Sequence, residues 1–172
     1  MNRLWSIFGL AVACLVWAGC GEPVDPQVLS LRQQLILKSA PDGAASISSM
    51  RKTLMAEDAL ATVNVVVLGR IQAGKDSSCW ETGKAAFVLT DATGHKGETD
   101  HDPHTCPYCS PTIEDYLAFV SFRGEDGKLI EIDSRELFDV KERQLVIITG
   151  EASLDDAKML TIDATEMFIK QP

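Results

Sequence analysis

From residue 63 onward, runs rich in β-branched residues recur between turn signals, and this recurrence constrains the fold more than any other feature of the chain. Val63 to Ile71 predicts a strand with Gly69 inside it, and Ala85 to Thr90 a second after a turn at Gly83. Tyr116 to Arg123 predicts a third, which the turn Gly124-Glu125-Asp126-Gly127 folds back into Leu129 to Ile132. Ser134-Arg135-Glu136-Leu137-Phe138 reads as a short helix, with Ser134 as its cap and acid in its first turn. Leu145 to Ala152 and Leu160 to Ile169 predict two long closing strands.

Three strand regions, a short helix and two more strands is the element order of a five-stranded Greek-key barrel, the OB-fold, with the helix between strands three and four. The expected fold is therefore mainly β: a small OB-like barrel. Gly69 and Gly150 fit it, because strands bent into so small a barrel need bulges or kinks that glycine permits. The segment Val63 to Ile71 and the pair Val146 to Ala152 with Leu160 to Ala164 resemble strands of exported OB-fold-like bacterial proteins. That resemblance covers about residues 62–170 and says little about chemistry, since such barrels carry unrelated functions.

Ahead of the barrel, Asp25-Pro26 signals a helix start, with Asp25 able to cap and Pro26 suited to the first helical position. Val28, Leu29, Leu31, Leu35 and Ile36 supply an apolar stripe, and Ala40-Pro41-Asp42-Gly43 ends it. Residues 44–60 are mildly helical, with Met50, Leu54 and Met55 on one side. The expected organisation is a signal peptide over residues 1–19, a tether and helical lead-in over 20–60, and the barrel over 61–172 with an inserted loop at 91–111.

The first twenty residues read as an export signal: Arg3, an apolar run from Leu4 to Trp17 broken only by Ser6 and Gly9, then Ala18-Gly19-Cys20. The ending resembles a bacterial lipobox, departing from it at Trp17, where leucine is usual. The resemblance implies that Cys20 is lipidated, becomes the new N-terminus and tethers the protein to a membrane in the cell envelope. Gly21, where some inner-membrane lipoproteins carry Asp, leans towards an outer or outward-facing address. The chain carries 16 Lys and Arg against 25 Asp and Glu, a net charge of −9. Loss of Arg3 with the signal makes it −10, which repels phosphate backbones, so nucleic acid is not an expected partner. Trp80, Phe87, Tyr116, Phe119 and Phe122 accordingly read as core or rim packing, since base-stacking platforms come with a basic groove.

One stretch does not read as scaffold. Between the second and third strands, residues 90–111 hold all three histidines of the protein, His95, His101 and His104, together with Cys106 and Cys109. Loops this long in compact domains are functional or disordered. His101 to Cys109 has the pattern HxxHxCxxC, in which a CxxC turn brings two thiolates to one centre and nearby imidazoles complete a tetrahedron. Pro103 and Pro107 stiffen the loop. Sulfur with imidazole nitrogen suits zinc or copper as Cu(I) rather than magnesium or calcium. The expected ligands are Cys106, Cys109, His104 and His101, with Cys79 and His95 as substitutes and with Asp100 and Asp102 orienting the imidazoles.

Other readings of the loop remain open. In an oxidising compartment Cys106 would pair with Cys79 or Cys109 as a structural bridge, in a module that binds another envelope protein or a cell-wall ligand. The odd count of three cysteines left after export favours a metal or an unbridged thiol. Cys106-Pro107-Tyr108-Cys109 is also, letter for letter, similar to the active-site tetrad of glutaredoxins, which implies thiol-disulfide exchange. Yet no strand leads into it and no downstream proline stands where that fold needs one. Covalent haem attachment is excluded by Ser110 where CxxCH requires His. No phosphate-binding loop, dinucleotide fingerprint, GxSxG elbow or HExxH helix is present. The expectation is metal binding without catalysis.

Overall fold

A computed structural model describes residues 24–56, 62–74, 77–94 and 101–171. The expected export signal, Cys20, His95 and Asp100 lie outside the described residues. The architecture is mainly β, a closed five-stranded barrel with a few helices. In chain order the elements are α1 (Pro26–Leu35), β1 (Ala45–Ser46), α2 (Ile47–Ala56), β2 (Val63–Ile71), β3 (Ala86–Asp91), a 3-10 helix (Ser110–Tyr116), β4 (Leu117–Phe122), α3 (Ser134–Phe138), β5 (Leu145–Leu154) and β6 (Leu160–Ile169).

Ring closure follows the pairing β2-β3-β4-β6-β5 and back to β2. All these pairs are antiparallel except β4 with β6. β2 carries most of the closure: it runs along β5 from Val63↔Ala152 to Arg70↔Leu145 and meets β3 only at Gly69, Arg70 and Ile71. Its edge at Val67 and Leu68 is taken by β1 in parallel. Along each strand alternate residues turn inward, as the pleat requires: Val65, Val67 and Ile71; Phe87 and Leu89; Ala118, Val120 and Phe122; Ile148; Leu160 and Ile162.

Helices fill the remaining apolar demand. α3 puts Leu137 and Phe138 into the core, the Phe138 ring 4.6 Å from that of Phe122. Its cap is Asp133 rather than Ser134: the Asp133 carboxylate accepts from the Arg135 backbone N–H at 3.0 Å, while the Ser134 hydroxyl donates to the carbonyls of Lys84 and Ala86. Arg32 of α1 donates to the Leu137 and Glu136 carbonyls, both at 2.7 Å, and so satisfies groups that a helix end leaves without partners. Asp25 caps α1 as expected, accepting from Gln27 N–H at 2.7 Å, but of the expected stripe Leu29 faces water. In α2 the buried residues are Ile47 and Leu54, and Met55 is exposed. The residues after the Gly124 to Gly127 turn form no strand; they keep a bridge at Arg123↔Leu129, because the Ile130 carbonyl turns to the Ala85 N–H instead. Among the described residues no helix is long and apolar enough to cross a membrane.

Two titrating groups make this scaffold pH-sensitive. Burial, reinforced by the charge of Glu142, pushes the Cys79 thiol from 9.0 to about 11. Hydrogen bonds from Arg135 hold the Asp133 carboxyl well below the usual carboxylate range. A raised acid contributes stability fully below its unfolded pKa and loses it as pH climbs through the folded value; a depressed one loses its contribution on acidification. Urea midpoints are therefore expected to fall between pH 9 and about 11 in the native chain and less in a Cys79→Ala variant. Equal alkaline slopes in the two would reject this assignment.

Candidate metal centre

The Cys/His loop leaves the barrel at the end of β3 and returns at the start of β4, so its shape is set by where those strands stop. The His101 N–H donates to the Ala92 carbonyl at 3.0 Å, which fixes the returning chain against the strand it left. From there successive turns follow. The Asp102 carbonyl accepts from the N–H groups of Thr105 and Cys106, each at 3.2 Å, and the Asp102 carboxylate accepts from His104 N–H at 3.1 Å. The Cys106 carbonyl accepts from Cys109 N–H at 3.2 Å and Ser110 N–H at 3.0 Å, with Pro107 at the turn position that its fixed φ suits. Cys109 then stands at the N-terminal boundary of the 3-10 helix, whose last residue, Tyr116, precedes β4.

These turns bring His101, Cys106 and Cys109 together, with one ligand atom from each lying within 4.8 Å of the others. His101 Nε2 is 3.4 Å from Cys109 Sγ. Donor atoms around one zinc ion lie roughly 3.5–4 Å apart, given metal–ligand bonds near 2.0–2.3 Å, so the cluster needs only small side-chain movements to close on an ion. Cys109 is fully buried, Cys106 nearly so and His101 half-buried.

Electrostatics hold the Cys109 sulfur towards its protonated form. Burial above all raises the Cys109 thiol, and the Cys106 thiol hydrogen-bonded to it and the charge of Asp91 push the same way. The bond to Cys109, followed by burial, pushes the Tyr116 hydroxyl up to about 12. A divalent ion binding two thiolates would neutralise their charge where a lone thiolate is costly, displacing protons from both sulfurs. Asp91 adds a fixed negative group beside them. It is fully buried, and its carboxylate accepts from Thr93 N–H at 2.9 Å, Thr93 Oγ1 at 2.5 Å and Ser48 N–H at 2.9 Å. Through Ser48 the same carboxylate ties the first turn of α2 to the site, and Arg51 of α2 forms an ion pair with Asp115 of the 3-10 helix.

Two other expected ligands, His104 and Cys79, stand elsewhere. The His104 ring points to Thr90, Nε2 to Oγ1 at 3.1 Å, while the Thr90 hydroxyl donates to the Gln72 carbonyl at 2.9 Å. The Thr90 hydroxyl thus lies between the Gln72 carbonyl and the His104 ring and holds the ring against β3. Cys79 is buried in the main core, where Glu142 and Arg135 are its charged neighbours, and not in the three-donor group. None of Cys79, Cys106 and Cys109 is in a disulfide. Asp102 does not orient an imidazole: its carboxylate binds the His104 backbone and faces Arg143 at 3.7 Å. Tyr116 and Asp91 are the site residues that sequence reasoning missed. Tyr116 reads as the first residue of a strand and Asp91 as the exit from one, and only the meeting of those strand ends places both beside Cys109.

No protein-family profile matches the chain, and no curated protein matches it.

Proposed function

We propose that this chain is an exported, lipid-anchored metal-binding protein that holds zinc or Cu(I) through His101, Cys106 and Cys109 on an OB-like barrel. The observation that carries the reading is the convergence of two sulfurs and one imidazole from a single loop within 4.8 Å of one another, with both cysteines buried. Three donors of this type suit Cu(I) in a trigonal arrangement, or zinc with a fourth position filled from outside the triad. The strand order and the placement of α3 between β4 and β5 support the OB-like Greek-key description.

Cys20 supports a membrane tether through its lipid, and an envelope location in turn makes another envelope protein the partner to which metal is passed or reported. Metal handling or sensing in the cell envelope, without catalysis, is the role that follows. Titration of the reduced, metal-depleted full chain against a competing chelator is expected to show uptake of one zinc or Cu(I) ion per chain. Absence of stoichiometric uptake of either ion rejects the reading. Mass spectrometry of the mature N-terminus tests the anchor, and an unmodified Met1 rejects it.

A further inference from the structure

We propose that Cys106 and Cys109 are also a redox release switch, in which a peroxide converts the two metal-holding thiolates to a disulfide and expels the ion. The inference rests on the metal-binding reading of the same site and adds the condition under which the ion leaves.

Four observations carry it. Cys106 and Cys109 are the first and last residues of one hydrogen-bonded turn, closed by the 3.2 Å bond from Cys109 N–H to the Cys106 carbonyl. Such a turn holds its end Cα atoms less than about 7 Å apart, which overlaps the roughly 4.4–6.8 Å that a disulfide spans. The two sulfurs lie within 4.8 Å of each other and are not bridged, so a short approach brings them to bonding distance. The intervening Pro107 and Tyr108 are exposed, Tyr108 at 83%, so drawing the sulfurs together shifts no core side chain between them. The remaining described thiol, Cys79, belongs to the main core and not to the donor cluster, so it does not compete for the bridge.

The chemistry is a two-electron oxidation, and Cys106, the more exposed residue of the pair at 9% against 0% for Cys109, is assigned the attack on the oxidant. The Cys106 thiolate attacks one oxygen of hydrogen peroxide; the O–O bond breaks, and the departing hydroxide takes a solvent proton and leaves as water. Cys106 is then a sulfenic acid. The Cys109 thiolate attacks its sulfur, the S–O bond breaks, and a second hydroxide takes a second proton and leaves as water. Two thiolates have lost two electrons in total and peroxide has gained them. The site has lost both sulfur donors at once, which leaves His101 as the one donor of the cluster among the described residues. A dithiol reductant reverses the change.

The test uses the full chain loaded with zinc, exposed to hydrogen peroxide while released zinc is read with a chromophoric chelator and bridges are mapped by peptide mass spectrometry. The expected result is loss of one zinc for each Cys106–Cys109 disulfide formed, with Cys79 still a thiol and zinc binding restored by dithiothreitol. A Cys79→Ala chain is expected to release its zinc in the same way, and this variant leaves the proposed donors intact. Zinc retained under peroxide overturns the switch alone, as does release accompanied by sulfinic acid on Cys106 or by a bridge to Cys79. Failure of the reduced chain to bind zinc or Cu(I) at all overturns the metal reading itself, so the two failures are told apart.

Discussion

Replacing Cys106 and Cys109 together by serine is expected to abolish stoichiometric zinc or Cu(I) binding, by far more than the roughly 10–100-fold that loss of an outer-shell partner costs. Two of the three donors disappear, and the serine hydroxyls that replace them stay protonated at neutral pH and bind soft ions poorly. Stability supplies a second readout. An ion at about 100 times its dissociation constant stabilises the folded chain by about 2.7 kcal/mol, and the double variant should show none of this increment. Elemental analysis together with denaturation curves with and without metal measures both effects. His104→Ala is the informative contrast: its ring is engaged with Thr90, so that variant should keep its metal. A loss in His104→Ala as deep as in the double cysteine variant would mean that the three-donor assignment is wrong.

Gly150→Val carries the largest expected cost to the scaffold. A Cβ at Gly150 would lie 2.3 Å from the Asp163 carbonyl oxygen and 2.8 Å from the Ala164 Cα, both backbone atoms of the neighbouring strand. The ladder between β5 and β6 shifts register here, passing from Thr149↔Glu166 to Gly150↔Ala164, and the extra residue, Thr165, bonds its hydroxyl to the Thr149 carbonyl at 3.2 Å. Backbone held in a ladder cannot yield as a side chain can. The expected destabilisation is about 3 kcal/mol or more, at or beyond the upper end of overpacking costs. Gly69→Ala is the milder companion, because its Cβ would meet the side chains of Leu89 and Ile47 at 3.1–3.2 Å and those can adjust at about 1 kcal/mol. Denaturant midpoints compare the two directly, and a Gly150→Val chain as stable as the native one would contradict the close approach of β5 and β6.

Both predictions rest on features of unequal legibility. Gly150 stood out in sequence because a glycine within a β-branched run reports a bulge or a close approach, and the structure supplies the neighbouring backbone. The cysteine pair stood out because CxxC is a local pattern whose two sulfurs converge by turn geometry alone. His104 shows the limit of such patterns: it lies as close in sequence to Cys106 as a ligand should, yet its ring goes to Thr90 because the loop lies back against β3. Ile47 and Asp91 show the same limit in the scaffold. Neither announces burial by spacing, and each is buried because α2 docks near the end of β3, a contact between segments more than forty residues apart.

Sequence by itself determined the five barrel strands and two of their boundaries in full, β2 at Val63–Ile71 and β6 at Leu160–Ile169, because pleat alternation and β-branching act within a few residues. It also determined that sulfur and imidazole donors would be crowded into one loop. Tertiary structure alone decided which of those donors meet, that Tyr116 and the charge of Asp91 act on Cys109, and that Cys79 stays in the core. The physical reason is range: propensity and turn chemistry are local, whereas a coordination centre is set by where distant strand ends and a helix come to rest against one another.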